Sequence, residues 1–155
     1  GALINDSVAI DKIYHLKNRD ISKPLAVLTG TKNIEEYVLE ISDFSKQLMD
    51  KYWPGALTLI FKKSNIISDK VTSGFDTVGL RMPNSNIALQ LLNHFGLMAT
   101  TSVNISGTEP LNNIEDIIKY FIGMLSLEQV IDIIKSNNQC LIFTCKIFHD
   151  FFIYS

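Results

Sequence analysis

The sequence predicts an α/β fold, a sheet with helices packed against it, and three observations carry that prediction. Short apolar runs bounded by Pro, Gly and Thr recur along the chain, as at Leu25–Leu28 and Thr77–Met82. Segments with helical spacing of apolar residues lie between them. No repeat or Gly/Ser-rich linker divides the 155 residues, so one domain accounts for the whole. A hydrophobic content of 46% against 19% charged residues suffices for a buried core. The net charge of −2 excludes a surface built throughout for nucleic acid, so any polyanion must meet a local basic cluster.

Taken in order, Asn5 or Asp6 can cap a first helix carrying Val8, Ala9, Ile13 and Leu16 on one face. That helix runs into Lys17 and Arg19, placing both charges at its C-terminal end or just beyond. Pro24 opens a buried strand, Leu25–Leu28, closed by Thr29-Gly30. Asn33, with Glu36 three residues on, resembles a capping box and predicts a second helix. A third, Asp43–Tyr52, aligns Phe44, Leu48 and Tyr52, and Trp53-Pro54-Gly55 ends it. Strands follow at Ala56–Phe61 and Thr77–Met82. Asn84 or Ser85 caps a helix from Ile87 to Phe95, with Gly96 at its expected C-terminal position. Leu97–Thr100 is a further strand, and Asn113 starts a helix through Phe121.

Three constellations can carry chemistry. Lys17-Asn18-Arg19 followed by Lys23 gathers cations that can converge on a polyphosphate. Read alone, they favour a solvated basic turn whose charges suit a helix C-terminus. No P-loop motif is present. Thr100-Thr101-Ser102-Val103-Asn104-Ile105-Ser106-Gly107 presents hydroxyls and an amide at the end of a strand, where open α/β sheets bind ligands; turn chemistry uses the same residues. In Thr77–Met82, alternation puts Thr77, Gly79 and Arg81 on one face and Val78, Leu80 and Met82 on the other. Arg81 can receive a carboxylate or phosphate there, or point to water from an edge strand.

Together these segments resemble the YrdC-like family of threonylcarbamoyl-AMP synthases. Lys-x-Arg with Lys-Pro, Trp-Pro-Gly with a Thr-Leu strand, Asp-Thr-Val-Gly-Leu-Arg-Met-Pro and Ser-x-Asn-x-Ser-Gly occur in that family's order, from about Gly1 to Glu115. The resemblance implies a twisted mixed sheet around a positively charged cavity. It also implies formation of threonylcarbamoyl-adenylate and pyrophosphate from L-threonine, bicarbonate and ATP, for modification of tRNA. By position, Lys17, Arg19, Ser102 and Asn104 take the catalytic signature around the nucleotide phosphates. Lys23 and Thr77 join them as ATP contacts, and Arg81 takes the threonine carboxylate. Mg²⁺ is implied only as ATP's companion, with no tightly bound cofactor and no metal ligand set. The resemblance allows tRNA or tRNA-modification proteins as further partners.

The family domain is expected over residues 1–138, incomplete in lacking the usual N-terminal strand–helix–strand, with a divergent aromatic-rich tail at 139–155. A non-catalytic nucleotide- or RNA-binding protein of the same fold is the alternative. His15, His94 and His149 receive no role. Cys140 and Cys145 match neither a zinc pair nor a redox motif and read as ordinary thiols. No secretory leader is recognised at Gly1–Ile4, and no uninterrupted apolar run reaches the roughly 18 residues of a membrane span. A cytoplasmic protein without a membrane partner is the expectation.

Overall fold

The computed structural model of the chain describes residues 1–104, 106–109, 111, 116 and 119. Its elements in order are β1 (Ala2–Leu3), α1 (Ser7–Leu16), β2 (Ala26–Leu28), α2 (Asp43–Tyr52), β3 (Leu59–Lys62), α3 (Asp69–Thr72), β4 (Thr77–Arg81), α4 (Asn86–Phe95) and β5 (Met98–Thr100). The strands form one sheet in the order β1-β5-β2-β4-β3. Only β2 and β4 run parallel, and the other neighbours are antiparallel, so the sheet is mixed as expected.

Register separates the two faces. Ala2, Ala99, Val27, Leu80 and Leu59 lie on one face, together with Val78 and Phe61. This face meets Ile10 and Ile13 of α1, Val71 of α3 and the buried Ile34, Met49 and Trp53 in the main core. Burying a side chain such as Leu80 or Ile10, each fully inaccessible, contributes roughly 1.5–3 kcal/mol. On the opposite face, Leu28 and Met98 pack with Ala88 and Leu92 of α4 in a smaller core.

The helix caps follow the sequence. Asp6 accepts the Ala9 N–H at 2.9 Å to start α1, and the Ser42 and Ser85 hydroxyls accept from Ser45 and Ala88 to start α2 and α4. Gly96 ends α4 at φ 93°, where a side chain would be strained.

Several expectations need correction. Val8 is exposed, because the buried face of α1 consists of Ala9, Ile10, Ile13 and Tyr14. No helix starts at Asn33. The segment is tied to β3 instead: Leu39 N–H donates to Lys62 O, Ser64 N–H to Tyr37 O, and Ser64 Oγ to Glu36 O. These bonds leave Ile34 and Val38 in the core, so tertiary pairing overrides the local capping signal. Along α2, Phe44 and Tyr52 face solvent and Met49 is the buried residue. The strand expected from Ala56 begins at Leu59, since Gly55 N–H donates to Met82 O and Leu57 O accepts from the Trp53 indole. The sequence reading missed β1 and α3, of two and four residues. The helix expected from Asn113 and the tail at 139–155 lie outside the described residues.

Candidate functional site

The site begins with how α1 ends. Lys17 caps the helix, and Asn18 follows in the left-handed region at φ 47°. Asn18 N–H donates to His15 O at 3.1 Å and Arg19 N–H to Tyr14 O at 2.9 Å, the paired bonds of a Schellman ending. Asn, after Gly, tolerates this conformation best among ordinary residues. The spacing Lys-x-Arg is therefore a helix-end geometry, with the left-handed residue between the two cations.

Beyond it, the chain is fixed through carbonyls. Arg19 Nε donates to Lys23 O at 3.2 Å and its Nη2 to Pro24 O at 2.9 Å. The Tyr14 hydroxyl, on a buried ring, also donates to Lys23 O at 3.0 Å. Lys23 thus enters through its backbone, while the residue itself is exposed. Asp20 accepts the Ser22 N–H at 2.9 Å, which holds its carboxyl below its ordinary range.

Lys17 turns the other way and is 6% exposed. Its Nζ donates to Thr101 Oγ1, to Ser102 O and, at 3.0 Å, to Asn104 Oδ1. Ser102 Oγ donates to the same Asn104 oxygen at 2.5 Å, and Asn104 Nδ2 donates to Thr108 O at 2.5 Å. Ser106 N–H closes the connection by donating to Lys17 O at 3.1 Å. Burial, with the Arg19 charge adding to it, lowers the Lys17 pKa to about 8. Lys17, Ser102 and Asn104, far apart in sequence, are one cluster, with Arg19 on the adjoining turn.

The sheet sets the remaining candidates. Register places Thr100 beside Ala26, and Ile60 beside Gly79, on the face that also carries Thr77 and Arg81. Part of this face lies under α4. The described residues leave Ala26 and Ile60 exposed and Gly79 half-buried. Any Cβ at position 79 would come within 3.3 Å of Ile60 and Thr58.

Because β2 runs parallel to β4 and antiparallel to β5, Thr77 lies at the end where β5 leads into Thr101 and Ser102. Arg81 lies at the other end, about 13 Å along the strand at roughly 3.3 Å per residue. Arg81 is not on an edge strand: β4 pairs on both sides, Arg81 Nε donates to Gly55 O at 2.9 Å, and burial lowers its pKa. The structure therefore joins Lys17, Ser102 and Asn104 directly. It sets Thr77 and Arg81 at opposite ends of one partly open sheet face.

Sequence reasoning assigned no role to Tyr14, Asn18 or Thr101. Asn in the Lys-x-Arg motif, at a helix end, was the available signal for Asn18; nothing local marked Tyr14. His15 and His94 are exposed. Among the described residues no group of His, Cys, Asp or Glu comes together as a metal site, and no helix is long and apolar enough to cross a membrane.

The Sua5/YciO/YrdC family model, described as telomere recombination, matches residues 1–141. A Bacillus subtilis protein named threonylcarbamoyl-AMP synthase is 39% identical over 110 residues, covering 69% of this chain and 32% of its own length. A Methanocaldococcus jannaschii protein carrying the same name provisionally is 36% identical over 127 residues, covering 82% of this chain and 58% of its own. The crystal structure of P. abyssi Sua5 complexed with L-threonine superposes with a TM-score of 0.72 at 32% identity, covering 78% of this chain and 36% of that one. The chain thus spans between 32% and 58% of the length of these relatives. With most of its residues matched in sequence and in fold, the chain belongs to the Sua5/YciO/YrdC family.

Proposed function

We propose that this chain carries the nucleotide-binding part of a threonylcarbamoyl-AMP synthase, which makes threonylcarbamoyl-adenylate and pyrophosphate for tRNA modification. The observation that carries the reading is the convergence of Lys17, Ser102 and Asn104 at the end of α1, with Arg19 on the next turn. This cluster forms the phosphate end, with Lys23 and Thr77 beside it. Arg81, at the far end of the same sheet face, receives the carboxylate of L-threonine. A relative's structure complexed with L-threonine supports that substrate class.

The chemistry suits these residue types. Threonine's amine condenses with bicarbonate to a carbamate, releasing water, and a carbamate oxygen then attacks the α-phosphorus as pyrophosphate leaves. The protein's part is to align two anions and offset the charge growing on the phosphates. Arg19 supplies a forked cation, and the loop at 101–108 supplies oriented hydroxyl and amide groups. Mg²⁺ enters as ATP's companion, held by the phosphates as part of the substrate. The reaction is placed in the cytoplasm, with tRNA-modification proteins as the consumers of the product.

The test is paired on one sample: ATP titration by calorimetry, then threonine- and bicarbonate-dependent pyrophosphate release. Arg19→Ala should weaken ATP binding or turnover by about 10²–10³. Equal ATP affinity and turnover in that variant would reduce the Lys-x-Arg pair to a solvated helix end. ATP binding without pyrophosphate release would assign the chain to nucleotide binding alone.

A further inference from the structure

An ammonium group has three N–H donors and no acceptor. In Lys17 all three are directed at one loop, to Thr101 Oγ1, Ser102 O and Asn104 Oδ1, from a residue that is 6% exposed. The main chain makes the return contact, with Ser106 N–H donating to Lys17 O. Both ends of this one residue therefore fasten the 101–108 loop to α1. A phosphate oxygen could reach Nζ only by displacing one of these acceptors. Arg19 and Lys23 have no such commitment to that loop in the bonds described above: Arg19 spends two donors on carbonyls of its own turn, and Lys23 is exposed.

We infer that Lys17 is a positioning residue, holding the Ser102–Asn104 loop in its ligand-ready geometry, while Arg19 and Lys23 meet the phosphates. The inference rests on the nucleotide reading above and divides the labour within that cluster. It explains why the lysine is buried beneath the loop rather than presented to solvent. It also explains why Asn104 Oδ1 accepts from two donors, Lys17 Nζ and Ser102 Oγ: the ammonium aligns the amide, and the amide aligns the hydroxyl. The facing loop brings hydroxyl, amide and carbonyl groups, and the charged neighbour is Arg19 on the adjoining turn. The Lys17 proton is linked to loop closure, because burial in the closed loop lowers its pKa.

The experiment is amide hydrogen exchange on the full chain without nucleotide, followed by ATP calorimetry. Lys17→Met keeps the apolar stem and removes the donors. Exchange across 101–108 should then rise at least about tenfold, since hydrogen bonds to a charged group are lost, with β2 and α4 unchanged. Arg19→Ala should weaken ATP binding and leave exchange at 101–108 as in wild type. If Lys17→Met loses ATP binding while loop exchange stays at the wild-type rate, Lys17 is a direct phosphate contact and the inference is wrong. If the loop loosens but the wild type binds no ATP, the positioning role stands and the nucleotide reading fails. Should Lys17→Met not fold, the wild type alone decides. Opening the loop returns Lys17 from a pKa of about 8 to its ordinary 10.5, so raising the pH from 7 to 10 favours the closed loop, and exchange at 101–108, corrected for the intrinsic rate, should slow through that range while α4 does not. A flat corrected profile overturns the inference.

Discussion

Replacing Asn18 by Val tests whether the helix ending builds the site. Asn18 holds φ 47°, and its N–H and that of Arg19 satisfy two carbonyls at the end of α1. A β-branched residue has two ways to respond. Keeping the left-handed conformation costs about 1–2 kcal/mol. Opening the turn forfeits two hydrogen bonds worth about 1 kcal/mol each. Both routes converge on about 2 kcal/mol, or about 30-fold in the unfolding equilibrium. Asn18→Gly adopts the conformation freely and should stay within about 0.5 kcal/mol of wild type. Urea unfolding followed by fluorescence of Trp53, the single tryptophan and a buried one, measures both variants. ATP titration separates the routes, because opening the turn moves Arg19 away from Lys17 and strain alone does not. A Val variant as stable as wild type, or a Gly variant as damaged as Val, would refute the argument.

Three further outcomes follow from the packing and charge of the fold. Gly30→Ala places a Cβ 2.4 Å from Asn93 Oδ1 and 2.8 Å from Asn93 N, so overpacking of about 1–3 kcal/mol should lower Tm by several degrees. Adding Asn93→Ala should recover only part of that loss, since the backbone contact remains; full recovery would disprove the backbone clash. Arg81→Ala should raise the threonine concentration needed for half-saturation by about 10- to 100-fold, the worth of a charged hydrogen bond, with ATP affinity little changed. A larger loss for ATP than for threonine would reverse the assignment of the two ends of the sheet. Finally, Lys17 releases its proton near pH 8 when folded, against an ordinary value of 10.5, so the unfolded state holds more protons between those limits. The cost of burying the charge is fully present below pH 8, and wild-type stability should rise relative to Lys17→Met from pH 8 to 10. A difference curve flat from pH 7 to 10 would count against that burial.

Much of this protein was legible locally. The Asp6 cap, the alternation of Thr77–Arg81 and the Ser85 and Gly96 punctuation of α4 each depend on a few neighbouring residues, and such rules act within a turn or a strand. The ordered motifs around Lys17, Thr77 and Ser102 likewise identified the family from the chain alone. Where long-range contacts compete with local preference, the sequence reading failed. Asn33–Glu36 has the pattern of a helix start, yet bonds from Leu39 and Ser64 bind that segment to β3 and bury Ile34. The stripe of Phe44 and Tyr52 has the spacing of a core face, but the orientation of α2 buries Met49 instead.

The placement of the cations was likewise decided in three dimensions. Local spacing treats Lys17, Arg19 and Lys23 as equivalent charges on a basic turn. Only the fold shows that Lys17 turns inward onto a loop more than 80 residues away, Arg19 bonds carbonyls of its own turn, and Lys23 is held by its carbonyl with the residue exposed. Which acceptor meets a flexible cation depends on the packing of distant segments. That packing is set by burial summed over the whole core, a quantity that no short stretch of sequence contains.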